Sequence, residues 1–308
     1  MDSIAVIGSL NIDLVVRAAR VPQPGETIAG KSFNMIPGGK GANQAVAASR
    51  AGGKVFMFGC VGDDPFGQVM VDALGESGVN TKNIHIIPQE STGTAIIIVE
   101  DSGENHIVVN PAANAMVSIE LIDRLWESIS KSPMILIQHE IPMDTAFHII
   151  RKAYQDGITV ILNPAPSYPV PEDCLKLLDV LIVNEIECAN LIGLPSIDRE
   201  SAFVAAEKWH RTGVKKIIVT LGSDGLVYLD DEKRIYLPAF QVEVVDTTAA
   251  GDTFVGAYAA SILQQKNAKE ALFFSSAAAA LAVMKLGAQT SIPYKQEVSE
   301  FLFSKVTD

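Results

Sequence analysis

The chain has 308 residues, and its 48% hydrophobic and 19% charged residues are ordinary for a globular protein, which argues against disorder. Its formal net charge is −12 at pH 7 and no cluster of lysine and arginine occurs, so nucleic acid is excluded as a partner. Neither a basic leader nor an apolar stretch of membrane-spanning length is present, which predicts a cytoplasmic protein with no membrane partner.

The cysteines indicate the redox environment. Cys60, Cys174 and Cys188 are odd in number, far apart in the chain and without a Cys-x-x-Cys pair. They are predicted to be buried small hydrophobic residues in a reducing compartment, with a reactive thiol as the alternative for one of them.

The first predicted element is a short buried strand over residues 4–8, which leads into Ser9-Leu-Asn-Ile-Asp13. If this segment stays extended, Asn11 and Asp13 point to the same side of the strand. An amide and a carboxylate on one face can hold two neighbouring hydroxyls, as on a sugar. An Asx turn at the strand end explains the same residues equally well.

A glycine-rich segment over residues 37–45 then runs into an alanine-rich helix. Glycines before a helix allow close backbone approach of a ligand, and Lys40 and Asn43 would offer donors at the first turn. The segment is not a Walker loop, because no glycine stands five residues before Gly39 and Gly41 replaces the serine or threonine. A helix end packed tightly on a sheet is the structural alternative.

Two further segments predict a small sheet outside the main domain. Residues 26–36 have the pattern of one or two exposed strands, and residues 94–99 and 107–109 form a hairpin. Together they would project as a lid. Between them, Asp63 and Asp64 follow a buried strand, and a turn that caps the next helix explains them better than a metal pair does.

From residue 134 onward, strand-like runs at 134–138, 159–162, 180–183 and 216–219 alternate with helical segments. This pattern predicts a parallel sheet with crossover helices, in which ligands gather at the carboxyl ends of the strands. Polar residues stand at those ends, namely Glu140, Asn163, Asn184, Glu187 and the segment from Thr220 to Gly225.

Two of these polar ends each have two interpretations. Asn184 and Glu187 share a helix face and could hold a hydrated magnesium ion, or form a capping box. The turn from Thr220 to Gly225 could bind a nucleotide through its backbone, or be a plain hairpin turn.

The segment Asp246-Thr-Thr-Ala-Ala-Gly-Asp-Thr-Phe254 follows an alternating run over 240–245, and the pattern predicts a strand, a tight turn and a helix. Small residues at a helix start leave backbone amides open to an anion. Asp252 in the first turn could then accept a proton, which suggests phosphoryl transfer to a hydroxyl group. The alternative is that Thr247 or Thr248 simply caps the helix.

The two longest motifs, Gly38-Gly-Lys-Gly-Ala-Asn-Gln-Ala45 and Asp246–Phe254, occur in one chain together with Gly8-Ser-Leu-Asn-Ile-Asp13 and Asn184-Glu-Ile-Glu187. In this order, across essentially the whole chain, the sequence resembles the ribokinase-like carbohydrate kinases. The resemblance implies a single α/β kinase domain over 1–308. It implies a doubly wound, mostly parallel sheet flanked by helices, with a small β-sheet lid formed by about 14–36 and 94–110.

The activity implied by the resemblance is transfer of a phosphoryl group from ATP to the 5-hydroxyl of D-ribose, with Mg²⁺ and K⁺ as cofactors. Asp252 is implied as the general base, beside an anion hole at Ala249, Ala250 and Gly251. The implied sugar contacts are Asn11, Ile12, Asp13, Gly39, Lys40, Gly41, Asn43 and Glu140, together with Asp252.

The resemblance also implies where the nucleotide and the ions bind. The ATP contacts would be Asn184, Thr220, Leu221, Gly222, Ser223, Asp224, Gly225, Gly251 and Ser276. Glu187 would organise magnesium, and potassium would bind at Asp246, Thr248, Ala282, Lys285, Gly287 and Ser291, mostly through backbone oxygens. An exposed edge of the lid could pair with a second copy, so a homodimer through the lid is expected.

Other functions stay open at this point. A sister kinase for 2-deoxyribose, fructose or adenosine would use the same scaffold. A non-catalytic sensor of sugar or nucleotide is a second alternative, although it would have no need of the carboxylate at Asp252. A dinucleotide-dependent dehydrogenase is disfavoured, because no Gly-x-Gly-x-x-Gly follows the first strand.

Overall fold

The computed structural model describes residues 2–307. These residues form thirteen β-strands and ten α-helices, numbered in chain order. The strands are β1 (Ile4–Ile7), β2 (Asn11–Ala18), β3 (Ser32–Gly38), β4 (Val55–Gly62), β5 (Asn80–Ile87), β6 (Gly93–Glu100), β7 (Asn105–Asn110), β8 (Met134–Gln138), β9 (Thr159–Asn163), β10 (Val180–Asn184), β11 (Lys216–Thr220), β12 (Leu226–Leu229) and β13 (Arg234–Leu237). The helices are α1 (Lys40–Arg50), α2 (Pro65–Glu76), α3 (Ile119–Ile129), α4 (Met143–Gln155), α5 (Glu172–Leu175), α6 (Glu185–Ile192), α7 (Arg199–Thr212), α8 (Ala250–Leu263), α9 (Ala268–Val283) and α10 (Lys295–Thr307).

The larger sheet within residues 2–307 has nine strands in the order β13-β12-β11-β10-β9-β8-β1-β4-β5. The strands from β11 to β5 in this order pair in parallel, whereas β12 and β13 join in antiparallel fashion at one edge. Strand β1 lies between β4 and β8, so that Ile4 pairs with Val55 on one side and Met134 on the other. The predicted doubly wound, mostly parallel α/β fold is confirmed.

The two faces of this sheet carry separate hydrophobic cores, because successive strand residues point to opposite faces. On one face, Ile4 and Val6 pack with apolar residues of α1, α8 and α9. On the other face, Ala5 and Ile7 pack with apolar residues of α3, α4 and α7. Helices therefore cover both faces and fix the positions of the side chains that follow the strand ends.

A second sheet has four strands in the order β3-β2-β6-β7. Strand β2 pairs antiparallel with β3 and parallel with β6, and Asn11 lies opposite both Gly38 and Gly93. Because Gly38 lies two residues before the start of α1, this end of the small sheet adjoins the glycine-rich segment. The action of the small sheet as a lid remains a prediction.

Two predicted strand segments are wrong. Residues 240–245 form no strand, since the N–H groups of Val245 and Asp246 donate to the carbonyl of Val283 at the end of α9 instead of to a neighbouring strand. Val244 and Val245 are 60% and 57% exposed, so their alternation with polar residues reflects no buried sheet face. Residues 26–31 are also not strand, and β3 begins only at Ser32.

Two compositional expectations can be compared with the fold. Within the described part of the chain, none of the helices has both the length and the apolar character needed to cross a membrane. All three cysteines are buried and free, and burial raises the pKa of the Cys60 and Cys188 thiols to about 12. The interpretation as buried small hydrophobic residues therefore fits better than that of a reactive thiol.

Candidate active site

Helices α1 and α8 pack in close contact, which brings their first turns together. The contact is made at Gly256, where a Cβ atom would lie 2.5 Å from the carbonyl oxygen of Gln44 and 2.7 Å from the backbone nitrogen of Ala48. Only glycine allows the two backbones to approach this closely. The glycine-rich start of α1 and Asp252 at the start of α8 therefore form one site.

The carboxylate of Asp252 is the centre of this site and is 8% exposed. Its Oδ2 accepts a hydrogen bond of 3.0 Å from Asn43 Nδ2, and its Oδ1 accepts one of 2.9 Å from Gln44 Nε2. Each carboxylate oxygen thus has an amide donor from α1. Hydrogen bonds of this kind orient the carboxylate, and a positioned carboxylate can act as a proton acceptor.

The predicted anion hole lies directly before Asp252. Ala249 has the left-handed conformation with φ 59° and ψ 9°, which costs a residue with a side chain about 1–2 kcal/mol. A left-handed residue followed by helical residues forms a concave backbone nest that suits an anion. A Cβ atom on Gly251 would meet nothing within 4 Å, so the space beside it is open.

The capping interpretation of this turn is not supported. The N-cap of α8 is Ala249, and no side chain caps it. The hydroxyl and N–H of Thr248 instead bind Oδ1 of Asp246, at 2.7 Å and 2.9 Å. The first amides of α8 are therefore left without a side-chain cap, as an anion site requires.

A group of polar side chains lies on the side of the small sheet. Glu140 accepts hydrogen bonds through Oε2 from the Ser9 hydroxyl at 2.5 Å and from the Lys40 N–H at 2.9 Å. Asn11 accepts one of 2.7 Å from Asn114 Nδ2. These contacts hold the predicted sugar residues of β2, α1 and the segment after β8 at one place.

Asp13 faces the same place and carries the clearest electrostatic signal. Burial, followed by the negative charges of Glu140 and Asp252, raises the pKa of Asp13 to about 7. A Cβ atom at Gly38 would lie 2.4 Å from Oδ2 of Asp13, so the glycine is needed for the carboxyl to lie where it does. Three carboxyl groups therefore converge on one small volume.

The charge of Lys40 offsets part of this repulsion. The negative charge of Asp252 is the largest cause that raises the pKa of Lys40, with smaller contributions from Glu140 and Glu187 and an opposing effect of burial. The ammonium is therefore charged at neutral pH. A cation among carboxylates is also placed to attract an anionic ligand.

At the end of β10, Asn184 and Glu187 form the capping box that was one of their two interpretations. Asn184 Oδ1 accepts from the Glu187 N–H at 2.7 Å, and Glu187 Oε2 accepts from the Asn184 N–H at 3.0 Å. Burial raises the pKa of Glu187, although its hydrogen bonds and Lys40 oppose the rise. A divalent cation near this carboxylate would offset the burial, so the residue also fits the predicted magnesium role.

A cleft of about 180 Å³ joins these elements. It is lined by Lys40, Asn163, Ile182, Val183, Asn184, Glu187, Thr220, Thr247, Ala249, Gly251, Asp252, Phe254 and Val255. The predicted base, anion hole, magnesium residue and first nucleotide residues are thus brought together. Ser276 and the turn from Leu221 to Gly225 do not belong to this lining; the turn is a hairpin between β11 and β12, and a nucleotide contact there stays a prediction.

The predicted potassium residues come from two adjoining loops. Asp246 Oδ2 accepts from the Gly287 N–H at 2.9 Å, and the Asp246 N–H donates to Val283 O at 3.1 Å. The Lys285 ammonium binds Glu297 Oε1 at 2.8 Å. The backbone of this loop pair is therefore held together without the Lys285 side chain, which fits ligation through backbone oxygens.

The sequence profile of the pfkB family carbohydrate kinases matches residues 1–295 of this chain. The chain belongs to the pfkB family of carbohydrate kinases. As a pfkB kinase it is an enzyme that phosphorylates a carbohydrate.

Individual relatives narrow the comparison. The chain is 39% identical over 300 residues to a protein named ribokinase from Haemophilus influenzae, covering 97% of this chain and 98% of the relative. It is 36% identical over 300 residues to a deoxyribokinase from Salmonella typhi, with the same coverage. The structure of an Arabidopsis thaliana ribokinase complexed with ribose and ATP matches with a TM-score of 0.89 and 32% identity, covering 97% of this chain and 98% of that chain.

Sequence reasoning missed several residues that shape this pfkB site. Gln44 belongs to the glycine-rich motif but was assigned no role, and Asn163 was noted only as a polar strand end. Gln138, the last residue of β8, was included only as the end of the predicted strand 134–138, and Asn114, in a 3₁₀ turn over Ala112–Met116, was not noted at all. A buried polar residue at the end of a parallel strand was the available signal for Gln138, and none existed for Asn114.

Proposed function

We propose that this pfkB kinase transfers the γ-phosphoryl group of ATP to the 5-hydroxyl of D-ribose, giving D-ribose 5-phosphate and ADP. The observation that carries the proposal is the position of the Asp252 carboxylate, held by two amides, between the open amides of Gly251 and the polar groups of Asp13 and Glu140. The ribokinase names and the ribose and ATP complex among the relatives support the choice of substrate.

The sugar is held by side chains on both sides of the glycine-rich segment. Asn11, Asp13, Asn43 and Glu140 are the polar groups for its hydroxyls, and burial of Asn11 and Asn43 makes those contacts strong. The acceptor oxygen of Asn43, Oδ1, is buried and has no hydrogen-bond partner among the described residues. A buried unpaired acceptor favours a ligand with a hydroxyl donor at that place.

Phosphoryl transfer has a loose transition state, so positioning and charge stabilisation supply most of the catalysis. Asp252 accepts the proton of the acceptor hydroxyl as its oxygen forms the bond to the γ-phosphorus and ADP leaves. The amides at Ala249, Ala250 and Gly251 stabilise the charge on the transferred phosphoryl oxygens. Lys40 balances the carboxylates around the reacting groups.

The ions have assigned places in this proposal. Glu187, with Asn184 beside it, would hold magnesium with its waters, and the ion would neutralise charge on the ATP phosphates. Asp246, Thr248, Ala282, Lys285, Gly287 and Ser291 would hold potassium. Potassium there would fix the turn that precedes Ala249, since Asp246 already binds both Thr248 and Gly287.

The test is ADP release by the purified chain with MgATP and ribose, 2-deoxyribose, fructose or adenosine, each in potassium or in sodium alone. Ribose-dependent turnover that potassium stimulates is the expected result. A preference for another acceptor would change the assigned substrate and identify the chain as a sister kinase with the same mechanism. Equal rates in potassium and sodium contradict the potassium site, and ATP binding without any turnover contradicts the catalytic role.

The deoxyribokinase relative makes 2-deoxyribose the main competing substrate. A site that hydrogen-bonds a substrate hydroxyl rejects the analogue without it by about 10⁴–10⁵, because its buried polar groups are left unpaired. Asn11 and Asp13 are such groups. The ratio of kcat/KM for ribose to that for 2-deoxyribose decides between the two, and a ratio near one contradicts recognition of the 2-hydroxyl.

Ribose affinity should depend on pH through Asp13. Its pKa near 7 in the free protein means that the carboxyl is protonated below pH 7 and charged above it. Sugar hydroxyls donate best to the charged form, so the affinity should fall about tenfold from pH 8 to pH 6. Titration calorimetry of ribose binding at both pH values measures this. Asp13→Asn should bind ribose weakly at both, and a variant with the original pH dependence would assign the titration to another group.

We also propose that the chain is a single kinase domain whose small sheet, from about 14–36 and 94–110, closes over the sugar and pairs with a second copy. The support is an exposed apolar face of that sheet, where Phe33, Ile96 and Val108 are 62%, 51% and 67% exposed. Exposed apolar strands of this extent pair with another chain or aggregate. Analytical ultracentrifugation should find a dimer, and a monomer at all concentrations contradicts the pairing.

The proposed location is the cytoplasm. Three buried free cysteines, with no disulfide among residues 2–307, suit a reducing compartment. The proposed substrates, ATP and a sugar, are likewise metabolites of that compartment. Fractionation of cells that express the chain tests the location.

A further inference from the structure

The side chain of Gln44 is 0% exposed, and both its nitrogen and its oxygen make hydrogen bonds. The proposed binding of the sugar and the nucleotide gives it no role. Its Nε2 donates to Asp252 Oδ1 at 2.9 Å and to Asn163 Oδ1 at 3.0 Å. Its Oε1 accepts from Gln138 Nε2 at 2.6 Å. The amide therefore connects α1 with α8, β8 and β9 at their ends.

The direction of this amide is determined by its two acceptors, Asp252 and Asn163. A flipped Gln44 would place its carbonyl oxygen against two acceptor oxygens and its NH₂ group against the NH₂ group of Gln138. Asn163 cannot flip in compensation, because its Nδ2 donates to the carbonyl of Ile182 at 2.9 Å. Buried polar groups that are left facing like groups are costly, so a single arrangement is stable.

The same network reaches the second carboxylate of the site. Asn163 Nδ2 lies 3.4 Å from Glu187 Oε2, which also accepts from the Asn184 N–H. Gln44 thus contacts Asp252 directly and Glu187 through one intervening amide. Gln44 and Asn163 therefore link the proton acceptor to the carboxylate proposed for magnesium.

We propose that Gln44 is a positioning residue, which holds the Asp252 carboxylate in the rotamer that faces the acceptor hydroxyl and in register with Glu187. This rests on the proposed function. When a sugar hydroxyl takes the place of the Asn43 donor at Oδ2, the Gln44 donor at Oδ1 keeps the carboxylate from rotating. Gln44 therefore affects the rate of phosphoryl transfer and does not affect the affinity for the sugar.

The test is Gln44→Met, which keeps the side-chain length and removes both the donor and the acceptor. A displacement of about 1 Å at a reacting group costs on the order of 10²-fold in rate, so kcat should fall by about that factor. The KM and the dissociation constant of the sugar should stay within about twofold, because uniform binding is not altered. A wild-type kcat, or a loss confined to KM, overturns the proposal.

A second variant pair separates positioning from a structural role. If Gln44 acts only through Asp252, then Gln44→Met should have little further effect on kcat in the Asp252→Asn background. An equal loss of kcat in both backgrounds overturns the proposal. Gln138→Met, which removes the donor to Gln44 Oε1, should show the same pattern with a smaller loss.

The matched control is Ser132→Ala, two residues before the start of β8. It removes a buried hydrogen bond of 3.0 Å to the Ser3 hydroxyl, so it should lower the unfolding midpoint and leave kcat unchanged. All variants are assayed with the acceptor that the wild-type chain phosphorylates fastest. Failure of ribose as that acceptor overturns the choice of substrate alone, whereas an intact kcat in Gln44→Met overturns only the role of Gln44.

Discussion

Asp252→Asn should lower kcat by roughly 10²–10⁴, the range that a positioned general base contributes. Asparagine has the shape of aspartate but cannot take the proton of the acceptor hydroxyl. In the wild-type chain, the amides of Asn43 and Gln44 donate to the two carboxylate oxygens at 3.0 Å and 2.9 Å. The asparagine variant places an NH₂ group against one of these two donors. The amides at 249–251 and the sugar contacts remain, so sugar affinity should change little.

The kcat is measured by ADP release at saturating sugar and MgATP, and the sugar affinity by titration calorimetry of the same preparation. Asp198→Asn serves as the control, because Asp198 is the N-cap of α7 and asparagine caps a helix equally well. It should keep wild-type kcat and stability. Near-normal turnover in Asp252→Asn would refute the role of Asp252 as the base.

Gly256→Val should have the largest effect on stability. Even a Cβ atom at Gly256 would lie 2.5 Å from the carbonyl oxygen of Gln44 and 2.6 Å from Cβ of Ala47, so α1 and α8 must move apart. Overpacking of this kind costs about 1–3 kcal/mol, and backbone contacts leave little room for relaxation. The separation also withdraws Asn43 and Gln44 from Asp252, so kcat should fall with the stability.

Urea unfolding measures the loss of stability, and Gly75→Ala provides the matched control. Gly75 is also a helical glycine, in the last turn of α2, but a Cβ atom there meets nothing within 4 Å. Alanine should therefore raise stability by about 0.5–1 kcal/mol, through its better helix propensity. Equal stability changes in the two variants would show that helix propensity, and not the contact between α1 and α8, decides the result at Gly256.

The sheet and the site were predictable to different degrees. The parallel strands from β8 to β11 are continuous apolar runs with a polar residue at or near each carboxyl end, and both features are local in the sequence. The segment 240–245 has equally clear alternation but is not a strand. A strand requires a neighbour with free backbone groups, and the sequence of the segment itself contains no information about that neighbour.

In the site, too, local features were predictable from the sequence, and features that depend on remote segments were not. The start of α8 was correctly predicted as a helix with a carboxylate in its first turn, yet the motif taken alone favoured simple capping by Thr247 or Thr248. The left-handed conformation of Ala249 and the hydrogen bond of Thr248 to Asp246 decide against capping. Both depend on how the turn packs against the loop at Gly287, which lies far away in the chain.

By itself, the sequence determined the α/β class, the polar residues at the carboxyl ends of the parallel strands and the family to which the chain belongs. These follow from hydrophobic periodicity and from short motifs whose residues are adjacent in the chain. Only the tertiary structure decided that Gln44, Gln138 and Asn163 meet at Asp252, and that burial brings the pKa of Asp13 to about 7. Hydrogen bonds and desolvation depend on distances between segments that are remote in sequence, and those distances exist only once the sheet and its helices have packed.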